Sequence, residues 1–336
     1  MPIPSGALRF NSDSGKLEYY NGEAWWQIDN FSADNATGGA RGLFGGGHFG
    51  TPLNATYNVI DYVTISTTGN AIDFGDLTTP RQSFASCSST IRGVFAGGYE
   101  PGNLKNVIDY ITISSTGNAI DFGDMPTVIG AVSGCSNVTR GIFGGGFTPS
   151  IINTISYITI SATGNTQDFG DLNSVRRSMS SFSSSTRGIF GGGQTPFIIN
   201  TIEFITISTT GNAIDFGDLT VSRSAGSGCS NSTRGLFAGG YVYPNFTNTI
   251  DYITIANLGN ATDFGDLSIP NYLIASCSSN TRGLFGGGLS PTPAPNTMVN
   301  IVEYVTILST GNVVDFGDLT ITRERLTACS NAHGGL

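Results

Sequence analysis

Apolar and polar residues alternate in short runs along most of this chain. In Ile158-Thr-Ile-Ser161 the isoleucines face one way and Thr159 and Ser161 the other, a period of two that marks a strand packed on one side. Such runs are bounded by glycine-rich turns, and the whole unit recurs. Arg41-Gly-Leu-Phe-Gly-Gly-Gly47 returns in variant form at Arg92, Arg140, Arg187, Arg234 and Arg282, with starting points 47 to 51 residues apart. After each copy come a β-type run such as Asn200 to Ser208 and a block such as Gly211-Asn-Ala-Ile-Asp-Phe-Gly-Asp-Leu219. A period of this length, filled with short β runs, is the signature of a propeller blade array or similar β-repeat.

Each period divides into four expected strands, in the fifth copy Ser222 to Cys229, Arg234 to Gly239, Thr249 to Ile255 and Ala261 to Leu267. The first copy starts at the second of these strands. The chain finishes with a surplus first strand, Thr322 to Ser330, which is expected to complete the first blade and remove the open edge. The predicted fold is therefore all-β: a six-bladed β-propeller over residues 39–336, closed by the C-terminal strand, with a small N-terminal β module over residues 1–38.

Within residues 1–38, runs at Gly6, Lys16 and Ala24 read as three short strands separated by turns at Asp13-Ser-Gly15 and Asn21-Gly22. Three such strands are too small to bury a core alone. Tyr19, Tyr20, Trp25 and Trp26 are therefore candidate docking residues, against the propeller, another copy or another protein; both tryptophans of the chain lie here, which favours an interface.

Composition narrows the options. The net charge of −9, with only 15 lysines and arginines, argues against a nucleic-acid partner, which needs clustered cations. Twelve of the 24 acidic residues are the paired aspartates of the Asp-Phe-Gly-Asp blocks, so the acidity is distributed by the repeat. No apolar run reaches the ~18 residues of a membrane span, and the N-terminal residues lack the pattern of a secretory signal. Cys87, Cys135, Cys229, Cys277 and Cys329 share one repeat position, where Phe182 stands ahead of Arg187. Residues so placed in different blades cannot all approach to disulfide distance, and they read as small buried hydrophobes.

Two resemblances follow from these residues. Phe44-Gly-Gly-Gly47, Phe143-Gly-Gly-Gly146 and Phe285-Gly-Gly-Gly288, followed by Tyr62, Tyr110, Tyr157, Phe204, Tyr252 and Tyr304, resemble the kelch motif of galactose-oxidase-type propellers. The departure is in the last strand, where Phe74 and its copies replace the kelch tryptophan. That resemblance implies a fold and little about activity. The run from Gly6 to Trp25 is similar to a short module of bacteriophage tail-fibre and other virion proteins, which implies a virion context.

Candidate chemistry is sparse. The repeated Arg-Gly and Asp-Phe-Gly-Asp blocks imply one structural role per blade, such as a charge-assisted hydrogen bond. Calcium at pairs such as Asp73 and Asp76 is the metal alternative, but their spacing is not that of known calcium loops. A copper oxidase needs paired histidines, and the chain has only His48 and His333. Glu100 and Glu324 stand as carboxylates outside the repeated blocks. No cofactor, metal or enzymatic activity is expected.

Comparison among the copies is more informative. Turns joining the first to the second and the third to the fourth strands are nearly uniform, whereas loops between second and third strands diverge and carry Phe49, Tyr57, Tyr99, Phe147, Phe197, Tyr241, Tyr243 and Phe246. Aromatics on adaptable loops suit a binding face for sugar or protein. The expected function is that of a bacteriophage virion structural protein, in the tail rather than the head. It would dock to other virion proteins by its N-terminal module and bind a host surface glycan or protein through the loop face, with no nucleic acid and no membrane insertion. Self-association through the apolar module is compatible with this. A capsid decoration or tail adaptor protein is the alternative, and a carbohydrate-active enzyme a second.

Overall fold

The computed structural model describes residues 3–11, 16–27, 39–50, 55–291 and 296–336. Within it the chain divides into two compact units, Met1–Gly39 and Ala40–Leu336. Strands dominate both, and the fold is all-β.

Among the described residues the smaller unit holds one antiparallel sheet of Leu8–Asn11, Lys16–Tyr20 and Trp25–Gln27. Asn21 makes the second turn by accepting the backbone N–H groups of Glu23 and Ala24 on its Oδ1. The expected turn at Asp13-Ser-Gly15 falls at residues 12–15, outside the described ones.

Among the described residues the larger unit holds six four-stranded antiparallel sheets. Five are sequential. The first is completed from the far end of the chain, its strands being Thr327–Ser330, Arg41–Phe49, Ala55–Thr64 and Ile72–Asp76. The expected first strands prove shorter and later: that of the fifth sheet is Ser227–Ser230, not Ser222 to Cys229. Residues before it belong to a linker whose Ala225 has φ +53°, outside the range of a strand.

First strands of successive sheets lie beside one another, and that of the sixth, Ala275–Ser278, lies beside Thr327–Ser330, which lies beside Ala85–Ser88. A cycle of serine hydroxyls runs through them. Ser88 Oγ donates to the Ser330 carbonyl, Ser330 to Ser278, Ser278 to Ser230, Ser230 to Ser183, Ser183 to Ser136, and Ser136 back to Ser88, at 2.6–2.8 Å. The core follows the same order. Six apolar clusters each join two consecutive sheets, as where Phe74 and Leu77 of the first meet Ile111 and Ile113 of the second, and where Phe44 of the first meets Leu284 of the sixth.

The recurring residues now have physical roles. Each second-strand arginine spreads over the third-strand aromatic of its own sheet, Arg92 over Tyr110 at 4.5 Å. Its Nη1 donates to a carbonyl of the next sheet, Arg92 to Ile160 at 2.9 Å. The glycine after it is required because a first-strand side chain of the preceding sheet occupies the space of a Cβ. At Gly188 that atom would stand 2.8 Å from Cys135 Sγ, and at Gly235 it would meet the Phe182 ring. All five cysteines are free and buried, and burial pushes the Cys135 thiol up to about 12.

In Asp-Phe-Gly-Asp the phenylalanine packs edge-on against that same aromatic, Phe74 on Tyr62 at 5.9 Å. Gly75, at φ +144°, sits where a Cβ would stand 2.5 Å from the Gly117 carbonyl oxygen of the next sheet. The charge-assisted bond expected of the aspartates is replaced by a neutral one. It is the backbone N–H of Asp76 that is held, donating to Asn118 Oδ1 of the following Gly-Asn turn at 3.1 Å, and the other copies repeat this.

Candidate functional site

Linkers from the fourth strand of one sheet to the first strand of the next carry a second, buried set of arginines: Arg81, Arg176, Arg223 and Arg323. Each pairs with a third-strand carboxylate of the next sheet, Arg81 with Asp109 at 2.9 Å, Arg176 with Glu203 at 2.5 Å, Arg323 with Asp61 at 2.8 Å, and Arg223 with Asp251. The carboxylates are also tied to the linker start, Thr78 Oγ1 donating to Asp109 Oδ1 at 2.6 Å. In the third sheet both partners change together, to Ile129 and Ser156. Ahead of the sixth sheet the arginine position is Asn271, which leaves Glu303 buried without a guanidinium, and burial raises its pKa.

Two residues beyond each of these positions the backbone turns left-handed. Ser83, Ala131, Ser178, Ala225, Leu273 and Arg325 have φ between +52° and +58°, although none is glycine. Their backbones form a second cycle, Ala131 N–H donating to the Ser83 carbonyl at 2.7 Å, and so on round to Ser83 N–H on the Arg325 carbonyl at 2.8 Å. Backbone strain repeated at one level is compensated by those bonds, and such strain clusters where chains are held ready for function.

This cycle rims a cavity of about 330 Å³ lined by residues including Arg177, Ser178, Gln194, Ser224, Tyr241, Tyr272 and Arg325. Deeper along the first strands a smaller space of about 60 Å³ is lined by serines of all six sheets, by the five cysteines and Phe182, and by His333. The segment after Ser330 closes that end. Gly334 N–H donates to the Ser230 carbonyl at 3.0 Å, and His333 Nε2 lies 3.3 Å from both Ser136 Oγ and the Ser88 carbonyl oxygen. Gly335 N–H donates to His333 Nδ1 at 3.1 Å, so Nε2 carries the proton. His333 as a whole is half-buried, and burial of its imidazole pushes its pKa down to about 4.

Around the mouth the repeat stops repeating. The residue after the linker arginine position is Gln82, Gly130, Arg177, Ser224, Tyr272 or Glu324, bridged to Tyr99, Phe147, Gln194, Tyr241, Leu289 or His48. Of the expected binding aromatics, Tyr241, Tyr243 and Phe246 come together, with rings 6.0–6.4 Å apart. Tyr272 joins them, its ring centroid 4.2 Å from that of Phe246; it lies in a linker between sheets and not in a loop between second and third strands. Phe49 pairs with Tyr57 at 6.2 Å. Phe147 lies under Arg177 at 5.4 Å, Tyr99 accepts the Gly102 N–H on its hydroxyl, and Phe197 stands apart at 78 % exposure. Only Phe49, Phe197 and Tyr243 are exposed; Tyr57, Tyr99, Phe147, Tyr241 and Phe246 are half-buried and contribute to loop packing.

Glu324 is bound by His48 Nδ1 at 3.2 Å and Arg325 Nε at 3.1 Å, and Glu100 by Lys105 at 2.5 Å. Among the described residues no group of three or more histidines, cysteines or acids gathers as metal ligands do.

The docking candidates of the smaller unit separate by face. Leu8, Tyr19 and Trp26 stand opposite one another in register and are exposed. On the other face Tyr20 packs on Trp25 at 5.3 Å, and Arg9 covers Trp25 at 4.2 Å while paired with Glu18.

No protein-family model matches this chain, and no curated protein is similar to it.

Proposed function

We propose that residues 40–336 form a six-bladed, kelch-like β-propeller that serves as a binding protein of a bacteriophage virion, attached through the N-terminal sheet and contacting the host surface with the mouth face. The six sheets, the two hydrogen-bonded cycles and the joining of Thr327–Ser330 to Arg41–Phe49 support the propeller reading. The exposed row Leu8, Tyr19 and Trp26 supports docking, since aromatic surface of this kind is what interfaces bury.

One observation carries the binding reading. The recurring arginines, glycines, serines and phenylalanines join strands or sheets, and the Ser89 and Asn137 side chains hold the N–H groups of Arg92 and Arg140. The position after the linker arginine, which differs in all six copies, and its varied bridge partners gather at the mouth, over a cavity with an aromatic wall. A rigid scaffold presenting unlike side chains on one face is how binding loops are displayed.

Adsorption of the purified chain to host cells tests this, with Tyr243→Ser and Phe197→Ser as variants at the most exposed aromatics. Binding by the unaltered chain and weaker binding by the variants at unchanged melting temperature is the expected result. Absence of adsorption by the unaltered chain would overturn it. Antibody-gold labelling of intact particles then separates a position at the tail from one over the head.

A further inference from the structure

The cations of the larger unit are almost all committed to the scaffold. Six arginines bridge neighbouring sheets through carbonyls, four are buried against carboxylates, and Lys105 is paired with Glu100. Two remain, Arg177 and Arg325, and neither position is arginine in any other copy. Both line the mouth cavity. They come from the linker into the fourth sheet and the linker into the first, half-way round the cycle from each other, and so stand on opposite walls.

Both keep a guanidinium available. Arg177 places Nε and Nη2 on a neutral acceptor, Gln194 Oε1, at 3.3 and 3.0 Å. Arg325 uses Nε on Glu324 Oε1, an oxygen already shared with His48, and its side chain is 40 % exposed. Between the two walls stands the tilted pair of Tyr241 and Tyr272, with ring centroids 6.1 Å apart. Planar guanidinium forks select carboxylate and phosphate, while tyrosine offers a flat apolar face with a polar rim. Two point cations at the mouth of a chain of net charge −9 make this a local selection and not a long-range attraction of anions.

Resting on the host-binding reading above, we propose that the mouth cavity takes an acidic pyranose unit of a surface glycan. The sugar ring would lie against Tyr241 and Tyr272, and its anionic group would be held by Arg177 or Arg325. A uronic acid is the preferred form, because its carboxylate matches the planar fork.

Calorimetry of the full chain with a galacturonate trisaccharide, a neutral galactose trisaccharide and galactose 6-phosphate tests this. The galacturonate is expected to bind, and the neutral sugar roughly tenfold or more weakly. Arg177→Gln and Arg325→Gln should each cost a similar factor at unchanged melting temperature, and Arg325→Lys should recover part of it. Binding of the phosphate alone would also support the anionic-sugar site and assign it to phosphorylated glycans. Equal binding of acidic and neutral sugars, indifference to both glutamine variants, or no binding of any of the three would overturn it. Run in the cell-adsorption assay, glutamine variants that adsorb as the unaltered chain does would overturn this inference and leave host binding standing. Failure of the unaltered chain to adsorb removes the host reading, while calorimetry still decides the sugar site.

Discussion

At Gly188 the missing side chain is filled by Cys135 from the preceding sheet. Gly188→Ala should therefore destabilise by overpacking, by about 1–3 kcal/mol, with Ile205, also 3.1 Å from that Cβ, taking part of the strain. Adding Cys135→Ala removes the sulfur and should recover at least half the loss in urea melts; strict additivity of the two costs would refute the contact. The cysteine register and the Arg-Gly recurrence were both plain in the sequence. That they form one contact was not, because the partners lie in different copies and nothing local links them. His333 is a second test at this scale. Its folded pKa of about 4 lies below the ordinary value of about 6.5, so its contribution is fully present above the unfolded pKa. It is lost as pH falls from about 6.5 through 4, when a protonated Nδ1 can no longer accept the Gly335 N–H. His333→Gln should flatten the fall in melting temperature across that window.

Between elements, the linker arginines set how each sheet meets the next. Arg81→Ile leaves Asp109 buried and unpaired, and should cost about 3–5 kcal/mol. Adding Asp109→Ser reproduces the pair the chain already uses at Ile129 and Ser156, and should restore most of the stability in the same melts; no recovery would mean that the ion pair is not the origin of the loss. This coupling was written in the sequence as a covariation among copies, arginine with acid and isoleucine with serine. It went unread because the acid sits inside an apolar third strand, where alternation reads as a solvent-facing polar residue. The left-handed linker residues had no compositional signal either. Serine, alanine, leucine and arginine at φ near +55° are imposed by the hydrogen-bonded cycle, not by local preference. By contrast, the four strands per copy followed directly from period and glycine punctuation. The cavity at the mouth could not, since it is made by linkers from all six copies.

For the whole molecule, the strand Thr327–Ser330 is the test. Ending the chain at Leu319 removes the partner of Arg41–Phe49, takes Arg323 from Asp61, and opens the serine cycle at Ser330. Such a chain should show no cooperative melting transition, and a truncated form that melts like the full one would refute closure by this strand. The same joint has a consequence in time. Arg41 N–H is held by Asn331, 290 residues later. At synthesis rates of about 5–20 residues per second, the first strands wait roughly 15–60 s on the ribosome for that partner. Throughout that interval Arg41–Phe49 is an unpaired edge, open to the like strands of neighbouring nascent chains, so yield in the cell should depend on how far apart those chains are kept.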